Sequence, residues 1–185
     1  MATAVDELHK DHANVARLLE LLNRELKVFE SGGRPDFAMM REIMRYMTQY
    51  PDAFHHPKED LVFDKLAERA QSAIPDLENL AREHKALRTR GEELVGLLAK
   101  LDEADLPAYE RIEIKTKEYS LFLETHMRKE EHEIFPLSKS LLIKRDWTDI
   151  ETGIHQRLDP LFGSVIEKGY QTLRQALLER KPRSS

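Results

Sequence analysis

His55-His56-Pro57-Lys58-Glu59-Asp60 and His126-Met127-Arg128-Lys129-Glu130-Glu131 are near copies of one another, each reading H-x-x-K-E-acid. Each runs on into an apolar residue three positions past its acid (Phe63, Ile134) and a leucine three further on (Leu66, Leu137). The copies lie 71 residues apart. On a helix, His and Glu at i and i+4 stand about 40° apart around the axis and roughly 6 Å apart along it. Both side chains therefore project to one side, where they can serve one metal ion or two adjacent ones. The repeat extends upstream: Asp11-His12 precedes Val15, Glu83-His84 precedes Leu87, and this acid-His pair recurs after 72 residues. From lone His to His-x-x-x-Glu there are 43 residues in the first half (His12 to His55) and 42 in the second (His84 to His126). The chain reads as two helical hairpins. Stacked about a pseudo-twofold, they bring His12, His55, His84 and His126 together with Glu59 and Glu130 in a four-helix core, as a dinuclear metal site.

Composition sets the bounds. At 185 residues one domain with a real core is expected, and 41% hydrophobic with 34% charged residues suits a soluble helical protein. A net charge of −5 without a basic block argues against a nucleic-acid partner. Cys is absent, which removes disulfides, thiolate ligands and thiol nucleophiles together. A metal must then be held by His, carboxylate, Tyr or water, a set that suits iron, manganese or zinc. No 18-residue apolar run or N-terminal apolar leader segment is present, so neither membrane insertion nor secretion is expected, and a cytoplasmic location is the default.

Taken in order, residues 4 to 30 carry one apolar stripe from Val5 to Phe29, ended by Ser31-Gly32-Gly33-Arg34-Pro35. His12 falls on its buried side and His9 at its edge. A second helix starts near Asp36, with Met40, Met44 and Met47 read as core rather than as soft-metal ligands. Pro51 should kink or interrupt it near 51 to 54, with a new first turn behind. His56 is offset about 100° from His55 and is expected to point elsewhere, to solvent or to a partner of the ligands. Ile74-Pro75-Asp76 opens a third helix running to about Leu101, and Asp105-Leu106-Pro107 opens a fourth, with a kink or end at Pro136. Residues 144 to 185 do not continue the repeat. They read as a short helix from Asp146-Trp147, a turn at Asp159-Pro160-Leu161-Phe162-Gly163, an amphipathic helix from Val165 to Leu178, and a frayed tail over Lys181 to Ser185. The expected architecture is all-α: an antiparallel up-down four-helix bundle over 1–143 and a C-terminal helical extension over 144–185, packed on the bundle or pairing two subunits as a homodimer.

One His-x-x-x-Glu is common on solvated helix faces. Two copies with the same internal Lys, each with an acid-His partner at matching distance, are not, and buried charge is costly unless paired or coordinated. Two bridging carboxylates and two imidazoles per ion give each metal four protein ligands. An octahedral-preferring ion keeps positions for a bridging oxide, hydroxide or water and for an outside ligand. With more imidazole than carboxylate, the set departs from the carboxylate-rich di-iron bundles and favours reversible redox or oxygen binding.

Over roughly residues 5 to 141 the sequence resembles the hemerythrin-like HHE cation-binding family, on Asp11-His12, HHPKED at 55–60, Glu83-His84, and HMRKEE followed by Ile134-Phe135-Pro136. The resemblance implies an antiparallel four-helix bundle with a non-haem di-iron centre, oxo- or hydroxo-bridged. Its ligands would be His12, His55, Glu59, His84, His126 and Glu130, with the two Glu bridging. Oxygen-carrying members have a further His four residues after the third-helix ligand, and this chain has Arg88 there. The pattern is more similar to the four-His members, whose roles include iron or oxygen sensing and protection or repair under oxidative or nitrosative stress. The expected function is binding of a small gaseous or peroxide ligand (O2, NO or peroxide) at open iron positions. The alternatives are an enzyme reducing peroxide or NO or repairing iron centres, and an iron store or buffer.

Overall fold

The computed structural model describes residues 4–101, 106–154 and 159–179, and within them the chain is helical without a strand. The first arm of the bundle is α1 (Ala4–Glu30), with Asp6 and Glu7 in its first turn and Lys27 in its last, signs that suit the helix dipole at either end. It stops where Gly32 takes a left-handed backbone (φ 73°) and the amides of Gly32 and Gly33 turn back to the carbonyls of Phe29 and Val28. The second arm is α2 (Phe37–Tyr50), a π-helical turn over Pro51–His55, and α3 (His56–Arg69). Asp36 caps it by accepting from the Met39 amide. The third arm is α4 (Ile74–Ala99). The fourth is α5 (Leu106–Lys129), a second π-helical turn over Glu130–Ile134, and α6 (Phe135–Leu141). Helices α1 and α4 each lie between α2 and α5, which closes the four arms into an antiparallel bundle.

Pro51 and Pro136 neither sever nor end their arms. The interruption takes the form of the π turns, in which His56 donates its amide to the Pro51 carbonyl and Phe135 to the Glu130 carbonyl. Proline lacks an amide and crowds the carbonyl one turn back; Pro57 and Pro136 each stand two residues past a π turn, so the carbonyls they crowd, those of Ala53 and His132, lie inside the wider turns, which relieve the crowding without unwinding the helix. Both wide turns abut the His-x-x-x-Glu pairs: the first ends on His55 and the second begins on Glu130.

The apolar interior falls into two clusters. One gathers Val15, Leu18, Leu22, Met40, Ile43, Met44, Leu87, Leu94, Tyr119 and Leu123. The other gathers Val5, Leu8, Val62, Phe63, Leu66, Leu77, Leu80, Ile134 and Phe135. On every arm the predicted ligands lie between the two, so the bundle carries one polar layer across an otherwise apolar core.

The C-terminal extension packs on the bundle of its own chain. Helix α7 (Lys144–Gly153) lies on α3 and α1, and Arg69 forks onto Asp146 through Nε (3.0 Å) and Nη2 (2.8 Å). Helix α8 (Gln171–Leu178) lies along α2, with Tyr170, Leu173 and Leu177 buried beside Leu161. The expected helix from Val165 is shorter than its amphipathic pattern. Val165 is exposed, Glu167 is extended (φ −64°, ψ 142°), and helical structure begins only at Lys168. His155 and the tail expected over Lys181–Ser185 lie outside the described residues. Among the described residues, no helix is long and apolar enough to cross a membrane.

Candidate metal centre

All six predicted ligands meet in the polar layer. His12 comes from α1, His55 and Glu59 from the second arm, His84 from α4, and His126 and Glu130 from the fourth arm. All are buried, and Glu59 and Glu130 are 0% exposed. The imidazoles form two pairs, His12 with His55 and His84 with His126, and both pairs have ring centroids 4.8 Å apart.

Each carboxylate divides its oxygens between the pairs. Glu59 Oε1 lies 3.1 Å from His55 Nε2 and 3.5 Å from His12 Nε2, while Oε2 lies 3.3 Å from His84 Nε2. Glu130 Oε2 lies 3.4 Å from His12 Nε2, while Oε1 lies 3.2 Å from His126 Nε2 and 3.5 Å from His84 Nε2. Metal–donor bonds of roughly 2.0–2.2 Å place adjacent donors of a tetrahedral or octahedral shell about 2.8–3.6 Å apart. The nitrogen–oxygen distances above, and the 3.1 Å between His12 Nε2 and His55 Nε2, fall in that range. All four carboxylate oxygens, together with His84 Nε2, are buried without a hydrogen-bond partner. Such orphaned groups cost several kcal/mol per buried ion when left bare. Two cations, each held by two imidazoles and one oxygen from each Glu, satisfy them all, so the residues present fit a metal pair.

The far side of the imidazoles is held as metal ligands are. Nδ1 of His55 meets Asp11 Oδ2 at 3.3 Å, Nδ1 of His126 meets Glu83 Oε2 at 2.8 Å, and Nδ1 of His12 meets Glu131 Oε1 at 2.8 Å. A carboxylate on Nδ1 fixes the tautomer that leaves Nε2 as donor. The sequence flagged Asp11 and Glu83 only as companions of His12 and His84. Their partners are instead the histidines of the adjoining arms. The available signal was that an acid one position before a ligand points about 100° around the helix, toward the neighbour. The Lys repeated in both motifs differs in its partners: Lys58 reaches Asp11 (3.4 Å) and Glu7 (3.0 Å), whereas Lys129 pairs with the exposed Asp76 (3.6 Å).

Without a cation, the members ionise one another. Burial resists a charge on Glu59, but His55, His12 and His84 around it hold it well below the usual carboxylate range. Burial likewise resists a proton on His12 and His84, yet Glu131 and Glu59 raise the first, and Glu130 and Glu59 the second, to about 10.

The remaining histidines differ. His9 bonds Glu131 Oε2 (2.6 Å) at the rim, and His132 is exposed. Of the two directions its offset left open, His56 takes the one toward a partner of the ligands rather than toward solvent. Its ring lies flat on His84 (centroids 3.9 Å, 12° between planes), and its Nδ1 meets Asp52 Oδ1 at 3.0 Å. Burial pushes its pKa down to about 4, so it is a neutral imidazole. Arg88 donates from Nε to Asp52 Oδ2. Above the polar layer a small cavity, bounded by His12, His55 and His126 and by Val15, Leu87, Leu123 and Met127, leaves about 20 Å³ for the centre of a water-sized molecule.

Sequence comparison gives this arrangement its family. The Hemerythrin HHE cation binding domain matches residues 3–138, and the chain belongs to that family. Comparison with curated proteins gives no match. The family and the buried His/Glu groups together mark a metal-binding site.

Proposed function

We propose that residues 1–143 form a di-iron bundle, extended by a helical segment over 144–185, that binds O2, NO or peroxide in oxygen, iron or redox sensing or in protection against oxidative stress. The ligands in this reading are His12 and His55 for one iron and His84 and His126 for the other, with Glu59 and Glu130 spanning both. The observation that carries it is the division of the Glu59 and Glu130 oxygens between two imidazole pairs, with no other partner for any of the four atoms. Two carboxylates and four neutral imidazoles leave a pair of iron ions a net positive charge, which favours small anions and electron-rich diatomics. Bound there, the irons supply redox-active positions that accept an outside ligand.

The chain's own residues limit what that ligand can be. Val15, Leu87, Leu123 and Met127 line the cavity beside the histidines, with Asp52, His56 and Arg88 also on its wall, and its narrow room for the centre of a water-sized molecule favours a small ligand. Asp11, Glu83 and Glu131 keep Nε2 of three imidazoles directed inward.

The test is elemental analysis of aerobically purified protein beside His55→Ala and His126→Ala. About two irons per chain, the stoichiometry of a di-iron bundle, falling in both variants, is the expected result, with an optical change on adding NO anaerobically. One metal or none, unaffected by either variant, overturns the reading.

A further inference from the structure

Three of the four paired imidazoles carry a carboxylate on Nδ1. His56 carries one as well, Asp52 Oδ1 at 3.0 Å, although it belongs to neither pair. A ring nitrogen of His56 and donor atoms of Glu59 and His84 all lie within 4.8 Å of one another, a second grouping on the His84 side of the layer. Asp52 is itself anchored by Arg88 from α4, one turn after His84, so the prop behind His56 is fixed from two helices. The repeat does not ask for this. The counterpart of His56 in the second motif is Met127, and the other half of the layer has no imidazole in the equivalent place. Nor is His84 held as the others are. Asp60 stands where Glu131 stands in the second motif, but among the described residues no hydrogen bond joins it to His84, and the face of His84 is covered by His56 instead.

We propose that His56 is a fifth imidazole for the ion on the His84–His126 side. With Nδ1 committed to Asp52, Nε2 is the free donor, and binding that ion requires the side chain to turn off the face of His84. The site is then asymmetric: three imidazoles serve one ion and two the other, and the His12–His55 ion keeps more positions for an outside ligand. Asp52 and Arg88 act as positioning residues through His56. The proposal rests on the metal-pair reading above.

The test uses the full chain loaded anaerobically with Co(II), read by proton NMR in water. An imidazole bound through Nε2 keeps an exchangeable proton on Nδ1, which contact with the paramagnetic ion shifts far outside the range that an unbound neighbour reaches. His56→Phe keeps a flat ring on His84 and removes the nitrogens, and Asp52→Asn keeps His56 but weakens its prop. The expected result is full Co(II) loading in wild type and both variants. One far-shifted exchangeable resonance should be absent from His56→Phe, and the same resonance displaced in Asp52→Asn. Equal numbers of such resonances in wild type and His56→Phe, both fully loaded, overturn the proposal and leave the metal pair intact. Failure of wild type to take up two ions overturns the metal pair itself, and this proposal with it. Should His56→Phe not fold, His56→Gln is read in the same way.

Discussion

Removing the carboxylate behind one imidazole tests the site without touching a ligand. Glu83 is suited to this because both of its oxygens are engaged: Oε2 lies 2.8 Å from His126 Nδ1, and Oε1 accepts from Asn79 Nδ2 at 2.6 Å. Glu83→Gln keeps the length and one acceptor but loses the charge that makes His126 a better donor. Glu83→Ala loses the acceptor too and leaves His126, 3% exposed, free to rotate. Partners of this kind change metal affinity by roughly 10–100-fold. Glu83→Gln should fall near the lower end, about tenfold or ~1.4 kcal/mol, and Glu83→Ala near the upper end, about 100-fold or ~2.8 kcal/mol. Asp11→Asn is the internal comparison. Its contact to His55 Nδ1 is longer at 3.3 Å, and its charge is shared with Lys58 at 3.4 Å, so the loss should stay below about tenfold. The assay is competition for Zn(II) against a chromophoric chelator, with far-UV circular dichroism to show that each variant is folded. Wild-type affinity in all three variants, or a larger loss in Asp11→Asn than in Glu83→Gln, would refute the reasoning.

Three further outcomes follow from packing and charge. Gly91→Ala should destabilise by about 1–3 kcal/mol despite alanine's higher helix propensity, because a Cβ there meets Thr48 Cγ2 at 2.5 Å and Tyr119 at 3.4 Å; Gly96→Ala, with nothing within 4 Å, should stabilise by up to about 1 kcal/mol, both read by chemical denaturation. Tyr46→Phe removes the hydroxyl that donates to Asp159 Oδ2 (2.8 Å) and should cost about 1.5–3 kcal/mol, with the loss seen as faster proteolysis of the C-terminal extension. In the metal-free protein, His12 and His84 are raised to about 10, so their contribution to stability is complete below the unfolded value of about 6.5 and is lost as pH rises through 10. The melting temperature of the metal-free form should therefore fall between about pH 7 and 10 and that of the loaded form should not, since the metal displaces those protons; a flat metal-free profile would contradict the mutual ionisation of these histidines and carboxylates.

The ligand set was legible because helix period and duplication act together. His and Glu four apart share a face whatever the surroundings, and a copy 71 residues on turns an ambiguous pair into a site. What surrounds the ligands was less so. Asp11 and Glu83 act across helices: the offset of about 100° turns them off the ligand's own direction, but which arm stands there is set by the fold. Pro51 and Pro136 read locally as breaks. Each arm nevertheless stays helical through a wide turn flanked by buried side chains, Tyr50 before and His55 at the end of the first, Glu130 at the start of and Phe135 after the second. For His56 the offset left solvent or a partner of the ligands open, and packing on His84 with a bond to Asp52 decides for the partner. The helix expected from Val165 failed for a similar reason. Before Lys168 the chain is held in another shape: Glu167 is extended and its amide donates to the Pro160 carbonyl at 2.8 Å, a non-local bond that outweighs an apolar period.

Whether the fold depends on its metal follows from where the polar layer lies. Below it Leu8, Leu66, Leu80 and Phe135 are fully buried, and above it Leu18, Leu22, Met40, Ile43, Met44 and Leu94 are. Each such side chain contributes about 1.5–3 kcal/mol by leaving water. Two separate apolar clusters therefore hold the four arms together, one on each side of the site. Removing the cations bares Glu59 and Glu130, but His12 and His84 then take up protons and offset part of that charge. The cost is confined to one layer, and it is smaller than the packing on either side. Metal removal by chelation should thus lower the melting temperature while leaving the far-UV helical signal in place at 25 °C and neutral pH. Loss of that signal on chelation would mean that the cations, rather than the two apolar clusters, hold the arms together.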